Sequence, residues 1–216
     1  MSATIISYIP GAGGNHLKNL MCTYSGFANS NELNVDVYNE QTQPPGTAHS
    51  VPGRNLHDQV IDRAVNSPDQ HWLMLGHFGE LALWREQINS IPDKKWILIT
   101  LNTQLDRNLL ETRHERLQQH IHPYWLNEEQ LYLYQPAIYH SYFPGHTDNV
   151  LTISLKEFWN PKVDTVIGKI NKFLDIDIPV EPVQQLHDLW WKYNFFFPWS
   201  STVREYYNVD MPNTNE

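Results

Sequence analysis

Apolar and polar positions along this chain follow two alternating patterns. Four short runs are almost continuously apolar and rich in β-branched residues, which is typical of strands buried on both faces; they cover residues 4–9, 71–76, 96–101 and 149–154. Elsewhere apolar residues recur every three or four positions, which predicts helices; these cover the segment after residue 14 and residues 55–66, 81–88, 104–119, 162–174 and 182–193, with a further helix from residue 127.

This alternation of strands and helices predicts an α/β fold with three layers, in which helices cover both faces of a mainly parallel sheet. The chain has 216 residues without an internal repeat or a linker, so we expect a single domain over residues 1–208 and a polar tail over 209–216. Ligands of such sheets bind beyond the carboxyl ends of the strands. The glycine-rich turn after the first strand, His77 and the turn from Asn102 to Arg107 are therefore predicted to lie on one rim.

The glycine-rich turn Gly11-Ala12-Gly13-Gly14 joins the first strand to the first helix. Glycine lets the backbone turn sharply and leaves N–H groups accessible, while a helix start adds unpaired donors and the positive end of its dipole. Together these features predict a site for an anion such as phosphate or sulfate. The turn lacks the Lys-Ser/Thr ending of a Walker motif, and a simple tight connection would show the same glycine pattern.

Composition narrows the possible partners. The net charge is -9 and no basic block occurs, so we expect no nucleic-acid partner. No apolar stretch is long enough to cross a bilayer, so we expect no membrane span. The lone cysteine, Cys22, excludes an internal disulfide, which fits a reducing compartment, and we expect a cytoplasmic protein. Aromatic residues are frequent in the second half, with 8 Trp, 11 Tyr and 8 Phe in the whole chain, and core packing is their ordinary role.

The order of these parts resembles the P-loop-like sulfotransferases. Residues 5–21 look like the strand–turn–helix with which that family holds the 5′-phosphate side of its donor, PAPS (3′-phosphoadenosine 5′-phosphosulfate). Leu75-Gly76-His77-Phe78 is similar to a glycine-histidine step that members acting on sugars or lipids carry at a strand end. Residues 102–110 match the family's 3′-phosphate pattern, and residues 151–158 and 166–174 resemble its last strand, acidic-aromatic step and helix.

The resemblance implies a P-loop-like strand–turn–helix at the N-terminus, with PAPS as co-substrate. The implied donor site consists of Gly11, Ala12, Gly13, Gly14, Asn15, His16, Lys18, Asn102 and Arg107. The 3′-phosphate pattern keeps Asp106 and Arg107 but has Asn102 for its first Arg and Leu110 for its Ser. Because an Arg fork binds phosphate through two parallel hydrogen bonds, its loss removes contacts from that side of the donor.

Three residues are candidates for the chemistry of sulfuryl transfer, which needs a base for the acceptor hydroxyl. His77 is the first candidate, because histidine titrates near neutral pH and His77 follows a strand. Glu80 is an alternative base, and His16 is placed to meet the transferred group from the first helix. Structural roles remain open for all of them: a hydrogen-bonded turn histidine, a first-turn acid favoured by the helix dipole, and a replacement for the missing lysine.

No metal site is predicted. His114, His120 and His122 lie close together in sequence, but no cysteine accompanies them, and they lack the spacing and glutamate of a metalloprotease motif.

We therefore expect an enzyme that moves a sulfuryl group from PAPS to a hydroxyl of a sugar or small molecule. The alternative is a non-catalytic protein of the same fold that serves as a binding or structural subunit, as a homo-oligomer or in a larger assembly. A small-molecule kinase is a third possibility, which the absent Walker residues weaken. Residues 25–54 form a connection long enough to cover a bound substrate.

Overall fold

The computed structural model describes residues 3–9, 11–25, 28–29, 66, 72–83, 85–117, 141, 149–196 and 201–211. The strands in these ranges are β1 (Ala3–Tyr8), β2 (Ala28–Asn29), β3 (Trp72–Gly76), β4 (Lys94–Thr100) and β5 (Val150–Ser154). The helices are α1 (Gly14–Ser25), α2 (Phe78–Leu83), α3 (Arg85–Ser90), α4 (Gln104–Leu117), α5 (Leu155–Phe158), α6 (Asp164–Leu174), α7 (Val180–Phe195) and α8 (Ser201–Tyr207).

The strands form one parallel sheet in the order β2-β3-β1-β4-β5. Every residue of β1 and β3 is buried, as expected for central strands of a parallel sheet that is covered on both faces. The register aligns the last residues of the strands, with Ser7 opposite Gly76 and Tyr8 opposite Ile99. The predicted α/β class with a parallel sheet is thus confirmed.

Helices lie on both faces of the sheet. From β1 the chain crosses towards the β2 edge through α1, whereas from β3 it crosses in the opposite direction to β4 and then to β5. Parallel crossovers are right-handed, so connections that run in opposite directions place their helices on opposite faces. Helix α1 packs on β1, β3 and α7, while α4 packs on α5 and α8. This arrangement is the predicted three-layer architecture.

The structure also differs from the sequence prediction in several elements. The segment 81–88 forms two short helices, α2 and α3, and the helix expected at 182–193 extends over Val180–Phe195. Strand β2 and helix α8 were not predicted, because two residues carry no periodic pattern and α8 is short and polar on its outer side. Val209, the first residue of the predicted tail, is partly buried against the core. The helices predicted at 55–66 and from residue 127 lie outside the described residues apart from residues 66 and 141, as do residues 25–54 apart from 25, 28 and 29.

A buried carboxylate joins the turn after β4 to the turn after β5. Asp106 is fully buried, and its Oδ2 accepts hydrogen bonds from the backbone N–H groups of Asn102 (3.1 Å) and Thr103 (2.9 Å). The Thr103 hydroxyl accepts in return from the Asp106 N–H at 3.1 Å, which forms a capping box at the start of α4. Oδ1 accepts from the N–H of Lys156 in α5 at 2.7 Å. Asp106 therefore fixes the two strand ends relative to each other.

Replacing Asp106 with Ala should lower the free energy of unfolding by about 1–3 kcal/mol, because the partly buried backbone N–H groups of Asn102, Thr103 and Lys156 lose their acceptor. Urea unfolding followed by circular dichroism measures this change. The matched control is Glu111→Ala on the exposed side of the same helix, which should change stability by less than about 0.5 kcal/mol. Equal effects of the two substitutions would contradict the role given to Asp106.

Candidate functional site

The glycine turn, Gly11 to Gly14, adopts a backbone conformation that depends on glycine. Gly11 and Gly13 have φ angles of 88° and 94°, in the left-handed region that side chains other than glycine rarely adopt. The Ala12 N–H donates to the Ile9 carbonyl at 3.0 Å, which closes the turn, and α1 begins at Gly14. The first N–H groups of α1 have no acceptor within the helix, so its positive end lies at this turn.

Aromatic rings pack against the turn from two sides. A β-carbon on Gly14 would lie 2.2 Å from the Tyr8 ring, and one on Gly13 would lie 3.0 Å from Phe158 and 3.1 Å from Trp190. Trp159 donates its indole N–H to the Ala12 carbonyl at 2.9 Å. We call Phe158, Trp159 and Trp190 the aromatic cover. It fills the space beside Gly13 with the protein's own side chains.

Helix α5 holds the aromatic cover in place. Ser154 and Glu157 form a capping box at its start, and Glu157 also pairs with Lys169 of α6. Burial opposes ionisation of Glu157, but the hydrogen bonds from Lys169 and Ser154 outweigh it and hold the pKa of this carboxyl below its usual value. Since Phe158 is the last residue of α5, these bonds fix the ring that packs on Gly13.

His16 is buried beneath this turn and does not face solvent. Only 2% of its surface is exposed, and its ring stacks on Trp190 with a centroid distance of 4.6 Å and an interplanar angle of 1°. Its Nε2 lies 3.1 Å from Nδ1 of His187, which is fully buried in α7. His16 therefore lies in the first turn of α1, as expected, but its ring points into the core.

The hydrogen bonds of the two histidines define their protonation. Nε2 of His187 lies 2.7 Å from the Asn160 carbonyl, which can only accept, so this nitrogen is the donor. In a neutral His187 ring, Nδ1 is then an acceptor, and Nε2 of His16 must donate to it. Burial lowers the pKa of His187 to about 4, which keeps the ring neutral at physiological pH.

His77 lies at the carboxyl end of β3, beside the end of β1. Its Nδ1 donates to the Tyr8 carbonyl at 3.0 Å, and the two rings have centroids 4.5 Å apart. In the neutral ring the lone pair is then on Nε2. The side chain is half-buried. Because the Tyr8 ring also packs on Gly14, the structure brings His77 and the glycine turn together around one tyrosine.

The other predicted residues lie in different environments. Asn15 is half-buried, whereas Lys18 is only 2% exposed and lies within the protein. Asn102 is exposed and contributes its backbone N–H to Asp106, and Arg107 is half-buried in the first turn of α4. Glu80 belongs to α2, but its side chain lies outside the described residues.

The structure links the two halves of the predicted rim through the protein interior. The turn after β4 is bonded through Asp106 to Lys156 of α5, and Phe158 at the end of α5 packs on Gly13. Sequence reasoning missed Phe158, His187 and Trp190 as parts of this site. Only the aromatic-rich composition of the second half indicated that side chains from there could contribute.

Neither a metal site nor a membrane-spanning helix is present in the described residues. Within these ranges, no three His, Cys, Asp or Glu side chains come together as a metal site would require. None of the helices in the same ranges has the length and apolar character needed to cross a membrane. No family model, curated protein or solved structure matches this chain.

Replacing Gly13 with Ala should lower the free energy of unfolding by about 1–3 kcal/mol, because the new β-carbon is strained at a φ of 94° and meets Phe158 and Trp190. Thermal or urea unfolding measures this change. Gly168→Ala is the control, since its β-carbon meets nothing within 4 Å and it lies inside α6, where Ala is expected to add about 0.5–1 kcal/mol. A Gly13→Ala variant with an unchanged free energy of unfolding would show that the aromatic cover moves aside without cost.

Acid should destabilise the protein through His187. Its folded pKa of about 4 lies below its ordinary value of 6.5, so the unfolded chain binds the proton more readily. The contribution of the neutral His187 to the free energy of unfolding is then fully present above about pH 6.5. The free energy of unfolding falls by on the order of 3 kcal/mol as the pH decreases to 4. Urea unfolding from pH 4 to 7 checks this, with His187→Gln as the variant that should lose this part of the slope. An identical slope in both proteins would contradict the assignment.

Proposed function

We propose that this protein is a sulfotransferase-like enzyme that moves a sulfuryl group from PAPS to a hydroxyl of a sugar or small molecule. The observation that supports this proposal is the position of the glycine turn and the Asn102–Arg107 turn at neighbouring strand ends. Strands β1 and β4 are adjacent and parallel, yet the chain leaves β1 towards the β2 edge and β4 towards the β5 edge. In α/β proteins, connections that leave neighbouring strands in opposite directions mark the place beyond the strand ends where nucleotides and similar ligands bind.

The two turns carry suitable groups for an anionic donor. The glycine turn supplies positive-φ backbone and the positive end of α1 for the phosphosulfate side. Arg107, in the first turn of α4, is the cation for the other phosphate, and Asn102 adds an uncharged donor. These residues fit a donor held by backbone amides on one side and by a single guanidinium on the other.

His77 is the proposed base in this enzyme. The Tyr8 carbonyl fixes its Nδ1 as a donor, so the neutral ring carries its lone pair on Nε2, the nitrogen that would take the acceptor proton. His16 has no such role in this arrangement, because it is buried and bonded to His187. We assign His16 to shaping the turn.

A second function is favoured by a specific observation. The aromatic cover fills the space beside Gly13, and Lys18 is buried within the protein. These features suit a non-catalytic subunit of the same fold, in which the turn is part of a packed core and the chain acts in a homo-oligomer or larger assembly. Light scattering separates the two proposals. The subunit must form a homo-oligomer or a larger assembly, whereas the enzyme can act as a monomer.

We place this activity in the cytoplasm, with a small molecule or carbohydrate as acceptor and no nucleic-acid partner. The net charge of -9 and the single cysteine support this setting.

Adenosine 3′,5′-bisphosphate, the product left by PAPS, should bind and raise the melting temperature. At a concentration 100-fold above Kd the expected shift is about 5 °C or more for a chain of this size. Arg107→Ala should weaken binding about tenfold, because the donor loses a charge-assisted contact. Differential scanning fluorimetry and isothermal titration calorimetry measure both effects.

Lys172→Ala is the matched control for this experiment. Lys172 is exposed in the last turn of α6. The carbonyl of its neighbour Phe173 accepts a hydrogen bond from Lys95 at the start of β4, so Lys172 lies near the amino ends of the strands, away from the proposed site. This variant removes the same charge and should bind as the unmodified protein does. Absence of any shift at millimolar ligand, with the unmodified protein, overturns the enzymatic proposal and leaves the subunit.

A further inference from the structure

We propose that His187 is a positioning residue for the glycine turn: by fixing which nitrogen of His16 carries the proton, it holds the first turn of α1 in the geometry that receives an anion. This inference rests on the function proposed above and adds a residue from α7 to the site. Its basis is the directed series of contacts from Asn160 through His187 to His16 and the glycine turn.

The direction of the series is set at its carbonyl end. The Asn160 oxygen accepts from Nε2 of His187 at 2.7 Å, so Nδ1 of the neutral ring accepts from Nε2 of His16 at 3.1 Å. The neutral His16 ring then carries its lone pair on Nδ1. Were His187 replaced by a side chain that cannot accept, His16 would lose the partner that selects this tautomer.

The same contacts restrain the position of the turn. His16 is the third residue of α1, and its ring lies parallel to Trp190, one of the two rings packed against Gly13. His187 also stacks on Trp190, with centroids 5.4 Å apart. A change at His187 is therefore transmitted to Gly13 both through the His16 ring and through Trp190.

The position of His16 favours its neutral form. The positive end of a helix disfavours an added positive charge, and so does the burial of a ring that is only 2% exposed. Among the described residues, the carboxylate of Asp188 on α7 acts on the pair, and it raises the pKa of His187 against the larger, opposite effect of burial. With both rings neutral, the hydrogen bond from His16 to His187 holds the first turn of α1 against α7.

Two substitutions separate positioning from packing. His187→Gln keeps one donor and one acceptor, whereas His187→Phe keeps a ring in the aromatic stack but removes both hydrogen bonds. With adenosine 3′,5′-bisphosphate and with inorganic sulfate as probes, His187→Phe should bind about tenfold more weakly than the unmodified protein. His187→Gln should recover most of this loss and bind within about threefold.

The tautomers are measured directly, without any ligand. Long-range ¹H–¹⁵N correlation spectra of the ¹⁵N-labelled full chain should show His16 and His187 both protonated at Nε2 only at pH 7.5, and the His187 signals should be unchanged at pH 5.5. His187→Gln should leave the His16 signals in this form, and His187→Phe should shift them. A His16 protonated at Nδ1 in the unmodified protein overturns the proposal.

The outcomes for the two proposals differ. If the unmodified protein binds neither probe, the anion-binding function fails. If it binds a probe and His187→Phe binds equally well with an altered His16 tautomer, the function stands and the role of His187 is overturned. If His187→Phe does not fold, the decision rests on the tautomers in the unmodified protein and on whether His187→Gln preserves both them and the affinity.

Discussion

At Gly13 and Gly14, aromatic side chains pack against one turn from two sides, so that a β-carbon on Gly14 would overlap the Tyr8 ring and one on Gly13 would be in tight contact with Phe158 and Trp190. The Tyr8 ring fills the space at Gly14, and Phe158 with Trp190 fills the space at Gly13. Because this contact requires bare backbone, it sets how β1, α1, α5 and α7 approach one another. The position of His77 is tied to the same contact, because its ring bonds to the Tyr8 carbonyl.

Around this contact, the buried polar groups form directed hydrogen bonds rather than isolated ones. Asp106 accepts from two turns, and His187 links His16 to the Asn160 carbonyl. A buried polar group without a partner costs more than an exposed one, so these side chains tolerate only a few orientations. Apolar side chains of similar volume would fill the space but would not define which atom donates. The polar groups thus specify geometry where the core alone would allow several packings.

The two functional proposals depend on different parts of this architecture. The enzymatic proposal uses the part of the rim where the chain leaves β1 and β4 towards opposite edges of the sheet and where His77 and Arg107 follow the strand ends. The subunit proposal uses the closed side, where the aromatic cover and the buried His16 make the glycine turn part of the core. Both sides share the backbone of residues 11–14, so a movement of α5 or α7 would alter the two together.

The sequence by itself determined four strands of the parallel sheet, β1, β3, β4 and β5, and the glycine turn, because burial on both faces imposes continuous apolar runs and a positive φ requires glycine. It also indicated that His77 and the Asn102–Arg107 turn lie at one edge, since parallel strands end together. Only the tertiary structure decided that His16 points inward and that His187, 171 residues away, is its partner. A local pattern reports which face of an element is buried. It carries no information about which distant side chain fills the space, because that choice depends on packing among elements that meet only in the folded chain.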